Sequence, residues 1–510
     1  MLRPSLVLLA AILTAACGSS DPASGLPAPG ARADDAAPQL RRDGRWLLDG
    51  HGRVVLIHGV NAVWKRAPLV PPDAPEGFTA ADAQWLRDHG FNGARIGTLW
   101  SGVMPHAAGE IDSAYLEQWD RVIQLMAAQR IWMLFDFHQD MMSPEYQGEG
   151  VPEWAVEPLK GPLNTLPPPM LGFPFNYFTP QVSELFDNLW ADQGSVRDGF
   201  RGAWRAVAAR WRDQPYHMGY DLLNEPWSGQ EWPQCLLVGG TGVGGCPNSD
   251  RDEIQPFLEQ GRLGIREVDA DNLVWFEPQL LSGGTALPTG LVAVPGDAQV
   301  GYSFHNYCPH AALLQSAQAG SLPLPLDLST TCAPFIEDVT AGGEAAAARM
   351  EAVAAMTEFG ASDDLTIIGA TAAAADANFT SWFYWHYKNW ADPTTQSQTS
   401  GAQGMFTDDT DFASVKLDKL RLLERTYPQA TAGIPVSMTF DPDTGAFAYR
   451  YTPRAATAPT EIFVPVELHY PQGYAVEVSG GAVRSAPGAS PLVIENLPGA
   501  TEVTVVVRRP

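Results

Sequence analysis

Two features of the 510-residue sequence predict an α/β fold built as a parallel eightfold barrel: strand-like apolar runs alternate with helical patterns from Val54 to Tyr387, and polar residues close those runs. A third feature predicts a second module. Beyond Thr431 the pattern switches to short alternating runs bounded by Gly, Pro and Asp, the sign of a small antiparallel β-sandwich. The expected architecture is a (β/α)8 TIM barrel followed by a C-terminal β-sandwich, and the chain is long enough for both cores. The predicted boundaries are 1–17 for an export segment, 18–38 for a flexible linker, 39–430 for the barrel and 431–510 for the sandwich.

Arg3 precedes an apolar run from Leu6 to Leu13, and Thr14, Ala15, Ala16 and Cys17 follow. This is the layout of a secretory signal, too short to span a bilayer. A cysteine directly after small residues resembles a bacterial lipoprotein processing site, so Cys17 is expected to become a lipidated first residue; plain secretion is the alternative, because Thr14 stands where such sites usually carry Leu. The Ala, Gly, Pro, Ser and Asp of Gly18 to Pro38 cannot bury a core. Eight strands are then predicted: Val54 to Val63, Gly93 to Leu99, Ile131 to His138, Gly219 to Asn224, Asn272 to Phe276, Val300 to Tyr307, Met356 to Phe359 and Trp382 to Tyr387. Helical patterns lie between them, among them Tyr115 to Gln129, Val196 to Trp211 and Ala345 to Ala355. A doubly wound sheet is the rival, but no glycine-rich phosphate loop follows an early strand. Val436 to Phe440, Ala446 to Tyr451, Ile462 to Val466, Ala475 to Val478 and Glu502 to Val507 are the strands expected of the sandwich.

Charge narrows the function. Lys plus Arg total 32 against 58 Asp plus Glu, a formal net charge of -26, which repels a phosphate backbone and argues against nucleic acid as a partner. With 16 Trp, 14 Tyr and 21 Phe the chain has aromatics enough to line a carbohydrate cleft. Beyond Cys17 the cysteines are Cys235, Cys246, Cys308 and Cys332, and their spacing favours Cys235 with Cys246 and Cys308 with Cys332 among three possible pairings. No CxxC or His cluster suggests a metal site, and no cofactor is expected.

Barrel chemistry is built at the C-terminal ends of the strands. There this chain places Arg95, His138 with Asp140, Asn224 with Glu225, Glu277, His305 with Tyr307, Glu358, and Trp385. The stretch Gly219 to Trp227, GYDLLNEPW, reads as a buried strand delivering Glu225 to the open end, with Pro226 stopping the ladder. Two carboxylates on opposed strands suit glycoside hydrolysis: one protonates the leaving oxygen, and the other attacks the anomeric carbon when they stand about 5 to 5.5 Å apart. Glu358 must be ionised, and Arg95 and Tyr307 are expected to lower its pKa by hydrogen bonding. Glu225 must be a neutral acid, its pKa expected to rise beside the negative nucleophile, with His305 orienting it. Glu277 lacks a preceding Asn and is expected to be structural or substrate-binding.

Asn-Glu-Pro at the fourth strand and Thr357-Glu358-Phe359-Gly360 at the seventh resemble glycoside hydrolase family five, a retaining barrel family of clan A. Within it, DFHQD at Asp136 to Asp140, DLLNEPW at Asp221 to Trp227, SFHNYC at Ser303 to Cys308 and YWHYKNW at Tyr384 to Trp390 are similar to the endoglycoceramidases, which cleave the β-glycosidic bond between an oligosaccharide and ceramide. The likeness runs from about Leu40 to Tyr427 and, more loosely, into the small β domain. It implies Glu225 as acid/base and Glu358 as nucleophile, surrounded by Arg95, His138, Asn224, His305, Tyr307 and Trp385. Lys65, in NAVWK, and Asp140 match residues that hydrogen-bond the sugar next to ceramide.

The stretch from Met141 to Thr179 points to a lipid independently. Leu166, Met170, Leu171, Phe173, Phe175, Tyr177 and Phe178 make an apolar lid able to cover acyl chains, with a loop packed on its own barrel as the alternative. The expected partner is a glycolipid, with membrane association through a lipidated Cys17 and the apolar loop, in an exported protein. Hydrolysis of simpler glycolipids such as glucosylceramide or steryl glucosides, hydrolysis of a β-glucan or mannan, and glycan binding without cleavage are the competing functions.

Overall fold

The computed structural model describes residues 39–236, 246–283, 288–308, 329–395 and 401–510. The expected export segment, Cys17 and the linker lie outside them. Eight parallel strands close into a barrel: β1 (His58–Ala62), β2 (Gly93–Gly97), β3 (Trp132–Asp136), β4 (His217–Asp221), β5 (Val274–Phe276), β6 (Val300–Asn306), β7 (Val353–Gly360) and β8 (Ser381–Trp385). Closure comes from β8 pairing with β1 through Trp382 to Tyr384. All eight are buried throughout, which is why they show no regular alternation of apolar and polar residues.

Helices cover the barrel. Ser113–Ala128 buries Leu116, Trp119, Ile123 and Met126 along one face, and the Asp112 carboxylate caps it by accepting from the Tyr115 amide at 3.0 Å. Arg197–Trp211 buries Phe200, Trp204, Val207 and Trp211 in the same way. Among the described residues no helix is long and apolar enough to cross a membrane.

Three predicted elements are corrected. Val54 to Val63 is not one strand: Val54–Val55 pairs antiparallel with Leu47–Leu48 and Ala430–Thr431, and the barrel strand starts only at His58. A run buried from end to end carries no mark of where the partner sheet changes. The pattern at Ala345 to Ala355 runs past the true end of its helix, Ser329–Arg349; Glu351 takes φ 52°, and β7 starts at Val353. The fourth strand ends at Asp221 rather than Asn224, so Pro226 does not stop it.

The C-terminal module is a sandwich of a seven-stranded and a four-stranded antiparallel sheet. Arg41–Asp43, Trp46–Leu48 and Val54–Val55 belong to the larger sheet, so residues N-terminal to the barrel help to build it. Met438, Tyr449, Tyr451, Ile462, Ile494 and Val505 fill the shared core. The module is fastened to the bottom of the barrel. His58 of β1 stacks between Trp382, at 4.2 Å, and Tyr427, at 3.5 Å, and Arg425 bonds Asp376 at 2.6 Å. Disulfides join Cys235 to Cys246 and Cys308 to Cys332, the pairing that spacing favoured.

Candidate active site

The side chains at the carboxyl ends of the strands converge on Arg95, which is wholly buried. Its guanidinium reaches Glu358 at 2.6 Å, Asp221 at 2.9 Å, Asn224 at 3.0 Å and Asp136 at 3.1 Å, with Glu277 at 3.7 Å. Burial alone would lower its pKa, but Asp136, Asp221, Glu358 and Glu277 raise it, so the cation is permanent. Asp136 and Asp221 close β3 and β4 in register with each other, which is how two strands deliver carboxylates to one guanidinium.

Glu358 sits on β7 and receives the Tyr307 hydroxyl at 3.0 Å as well as Arg95. Burial and neighbouring carboxylates push the Tyr307 phenol well up, so it stays a donor. Glu225 lies opposite, with His305 Nδ1 2.8 Å from its Oε1 and 3.7 Å from Glu358 Oε2. One oxygen of each carboxyl and a ring nitrogen of His305 lie within 4.8 Å of one another. That proximity suits the narrow carboxyl spacing of about 5 to 5.5 Å used for double displacement, not the wider gap that admits a water between the groups.

Protonation separates the two carboxyls, although not for the expected reasons. Glu225 is pushed up to about 8 chiefly by burial and then by Asp140, and its repulsion with Glu358 raises the latter's value as well. Glu358 is also raised, by burial, against the opposing pull of His305 and Arg95; the expectation of a lowered value is corrected, because desolvation outweighs its partners. With Arg95 and Tyr307 both donating to Glu358 and neither to Glu225, the shared proton belongs on Glu225. His305 is lowered to about 4 by burial and is neutral. Glu277, pushed well up by burial and by the neighbouring carboxylates, lies 3.5 Å from His305 Nε2, on the ring edge opposite the one that meets Glu225.

A second group adjoins the first. His138 bonds Asp136 at 2.8 Å and lies parallel to Trp385, 5.2 Å between ring centres. Burial and Lys65 lower its pKa, but Asp136 raises it to about 9, so it carries a proton. Lys65 bonds Asp140, lies 3.2 Å from Glu149 and 3.5 Å from Asp392, and sits over the Trp385 ring at 4.9 Å. His138, Asp140 and Glu149 have the spacing of metal ligands, but the Lys65 ammonium already supplies the cation among them. Beyond Lys65 and Glu149 opens a cavity of about 730 Å³, bounded also by Leu69, Gln147, Val151 and Thr394. Trp385 is held from behind by Gln403, whose Oε1 accepts its indole N–H at 2.6 Å.

Every residue expected from the sequence is therefore in one of these two linked groups. Those it missed are Asp136, Asp221, Glu149 and Asp392. Asp136 and Asp221 had a signal, a carboxylate closing a fully buried strand; Glu149 and Asp392 lie in loops, where acidic residues are ordinarily solvated.

A closed barrel with two buried carboxyls facing each other across its open end defines a retaining glycoside hydrolase. The chain belongs to glycoside hydrolase family five: residues 48–391 match the model described as "Cellulase (glycosyl hydrolase family 5)" and residues 425–507 that of the glycoside hydrolase family 5 C-terminal domain. It is 39% identical over 473 residues to endoglycoceramidase I of Rhodococcus hoagii (strain 103S), covering 92% of this chain and 88% of the relative. An endoglycoceramidase of Hydra vulgaris is 27% identical over 464 residues, 85% of this chain and 81% of that one. Among solved structures, endo-glycoceramidase II from Rhodococcus sp., in its ganglioside GM3 complex, superposes with a TM-score of 0.73 at 25% identity, covering 92% of this chain and 100% of that one.

Proposed function

We propose that this protein hydrolyses the β-glycosidic bond between an oligosaccharide and ceramide, with Glu225 as acid/base and Glu358 as nucleophile. The observation that carries a lipid aglycone is an exposed apolar run tied to the site's rim. Leu166, Met170 and Leu171 are 70, 66 and 54% exposed, and the same segment reaches the site through Tyr177, which touches Gln139, and Phe178, which packs edge-on against Trp227 and Trp232. The full-length likeness to endoglycoceramidases supports the same reading.

Glu225 gives its proton to the ceramide oxygen while Glu358, its charge held by Arg95 and Tyr307, attacks the anomeric carbon. Glu225 then takes a proton from water, which displaces Glu358, and the anomeric configuration is retained. Trp385, braced by His138, offers a face for the sugar being cleaved, and Lys65, Asp140 and Asn224 offer polar groups to its hydroxyls. The cavity beyond Lys65 and Glu149 leaves room for further sugars. The protein is exported, anchored through lipidated Cys17 and settled on the lipid surface by its apolar run.

The test is incubation of the purified protein with glycosphingolipids, steryl glucosides and soluble β-glucans, reading the products by mass. Intact glycan with free ceramide is expected. Glucose released from steryl glucosides, or shortened glucans, with glycosphingolipids untouched would overturn the reading.

A further inference from the structure

Glu225 is held by an unusual piece of backbone. Strand β4 has ended four residues earlier, and Glu225 sits at φ 43°, in the left-handed region that a side chain with Cβ enters only when its surroundings impose it. The peptide carbonyls of Asn224 and Glu225 turn toward the same point. There the side-chain nitrogen of Gln139, fully buried, meets both: Nε2 donates to the Asn224 carbonyl at 2.8 Å and to the Glu225 carbonyl at 3.1 Å, with the Tyr177 hydroxyl at 3.3 Å. The other end of the same amide accepts from the Met142 N–H at 3.1 Å, and the Gln139 carbonyl accepts from Asn224 Nδ2 at 3.0 Å. Met141 and Met142 are themselves left-handed, at φ 48° and 72°.

We propose that Gln139 is a positioning residue for Glu225, its amide supplying the two donors that keep the acid/base carboxyl aimed at the glycosidic oxygen and tying that backbone to the first turn of the apolar segment. The proposal rests on Glu225 being the acid/base. Two carbonyl dipoles brought together repel unless a donor stands between them, and a primary amide puts two N–H bonds on a single atom. An ionised carboxylate would add to the repulsion, and a thioether would leave both carbonyls buried and unpaired.

Full-length Gln139→Met and Gln139→Glu separate positioning from bulk stability. With Gln139→Met, kcat/KM on a glycosylceramide should fall about 100-fold or more, the span of general acid catalysis, while the dinitrophenyl glycoside of the same glycan, whose leaving group needs no proton, should lose less than about fivefold. Water attack on the glycosyl-enzyme then becomes slow for want of its base. Azide needs no base: its nitrogen attacks the anomeric carbon, the Glu358 carboxylate leaves, and a glycosyl azide should appear with turnover of the dinitrophenyl substrate raised about tenfold. Gln139→Glu should keep partial activity at low pH, where a protonated carboxyl donates one bond, and lose it as pH rises. Equal losses on both substrates without an azide effect would reduce Gln139 to a fold-supporting residue. Glu225→Ala run in parallel isolates the premise: azide rescue there but not in Gln139→Met overturns the positioning role, and rescue in neither overturns the assignment of Glu225.

Discussion

Replacing Arg95 separates the electrostatics of this site from its shape. The guanidinium is fully buried and lies within 3.7 Å of Asp136, Asp221, Glu277 and Glu358, of which Glu277 is kept neutral by burial. Arg95→Met would leave the other carboxylates without their cation, and breaking a buried pair in this way costs about 3 to 5 kcal/mol of stability. The effect on Glu358 can be worked out separately. The charge-assisted bond it accepts at 2.6 Å contributes about 1.5 to 3 kcal/mol to its ionised form, and at about 1.36 kcal/mol per pKa unit its loss raises that pKa by roughly 1 to 2 units. Because the nucleophile works ionised, the acid limb of kcat/KM should move to higher pH by that amount. Measured on a dinitrophenyl glycoside, which bypasses the acid, the limb reports Glu358 alone; urea unfolding supplies the stability term, and Arg95→Lys guards against a variant that does not fold. An acid limb that stays in place in a folded variant would refute the assignment of Arg95 as the group that holds the nucleophile's charge.

Two further outcomes rest on the same geometry and a third on the sequence of the N-terminal segment. Glu225, raised to about 8 by burial and Asp140, must be protonated to act, so kcat/KM on glycosylceramide should fall above about pH 8, while a dinitrophenyl glycoside, needing no acid, should show no such limb. Changing Leu166, Met170 and Leu171 to Ser should remove about 1 to 2 kcal/mol of apolar burial each from a lipid aglycone and nothing from a soluble aryl one; Phe178→Ser, by contrast, should lower melting temperature and both rates, since it packs on Trp227 and Trp232. If Cys17 is lipidated, the protein should partition into detergent and Cys17→Ser should move it to the aqueous phase; aqueous partitioning of both would mean simple secretion.

Much of this molecule is legible in its sequence because two strong periodicities coincide. Buried parallel strands read as largely apolar runs, and a polar residue in such a run or just beyond it has few reasons to be there other than chemistry; Arg95, Glu225, His305, Glu358 and Trp385 all stand out this way. The runs cannot say which neighbour a strand pairs with, which is why Val54 and Val55 look like part of the barrel when they serve the other sheet. Nor can they give proton positions: the value of Glu225 depends on depth of burial and on Asp140, which reaches it from a different strand end. Gln139 was hidden inside a motif already noted, since its partners are carbonyls whose directions depend on a left-handed backbone that no residue type announces. In the apolar segment the sequence did not separate packed side chains from exposed ones. Phe178 is held by Trp227 and Trp232, and the residues free to meet a lipid are the Leu and Met before it.

A covalent path through Glu358, with Glu225 as its acid/base, can be caught by trapping the intermediate. An activated 2-deoxy-2-fluoro glycoside slows hydrolysis of the glycosyl-enzyme by destabilising its cationic transition state, so the adduct accumulates and can be located by peptide mass after proteolysis. A single adduct on Glu358 is expected, with turnover lost as it forms. An adduct on Glu225 or Glu277, or inactivation without any adduct, would contradict it.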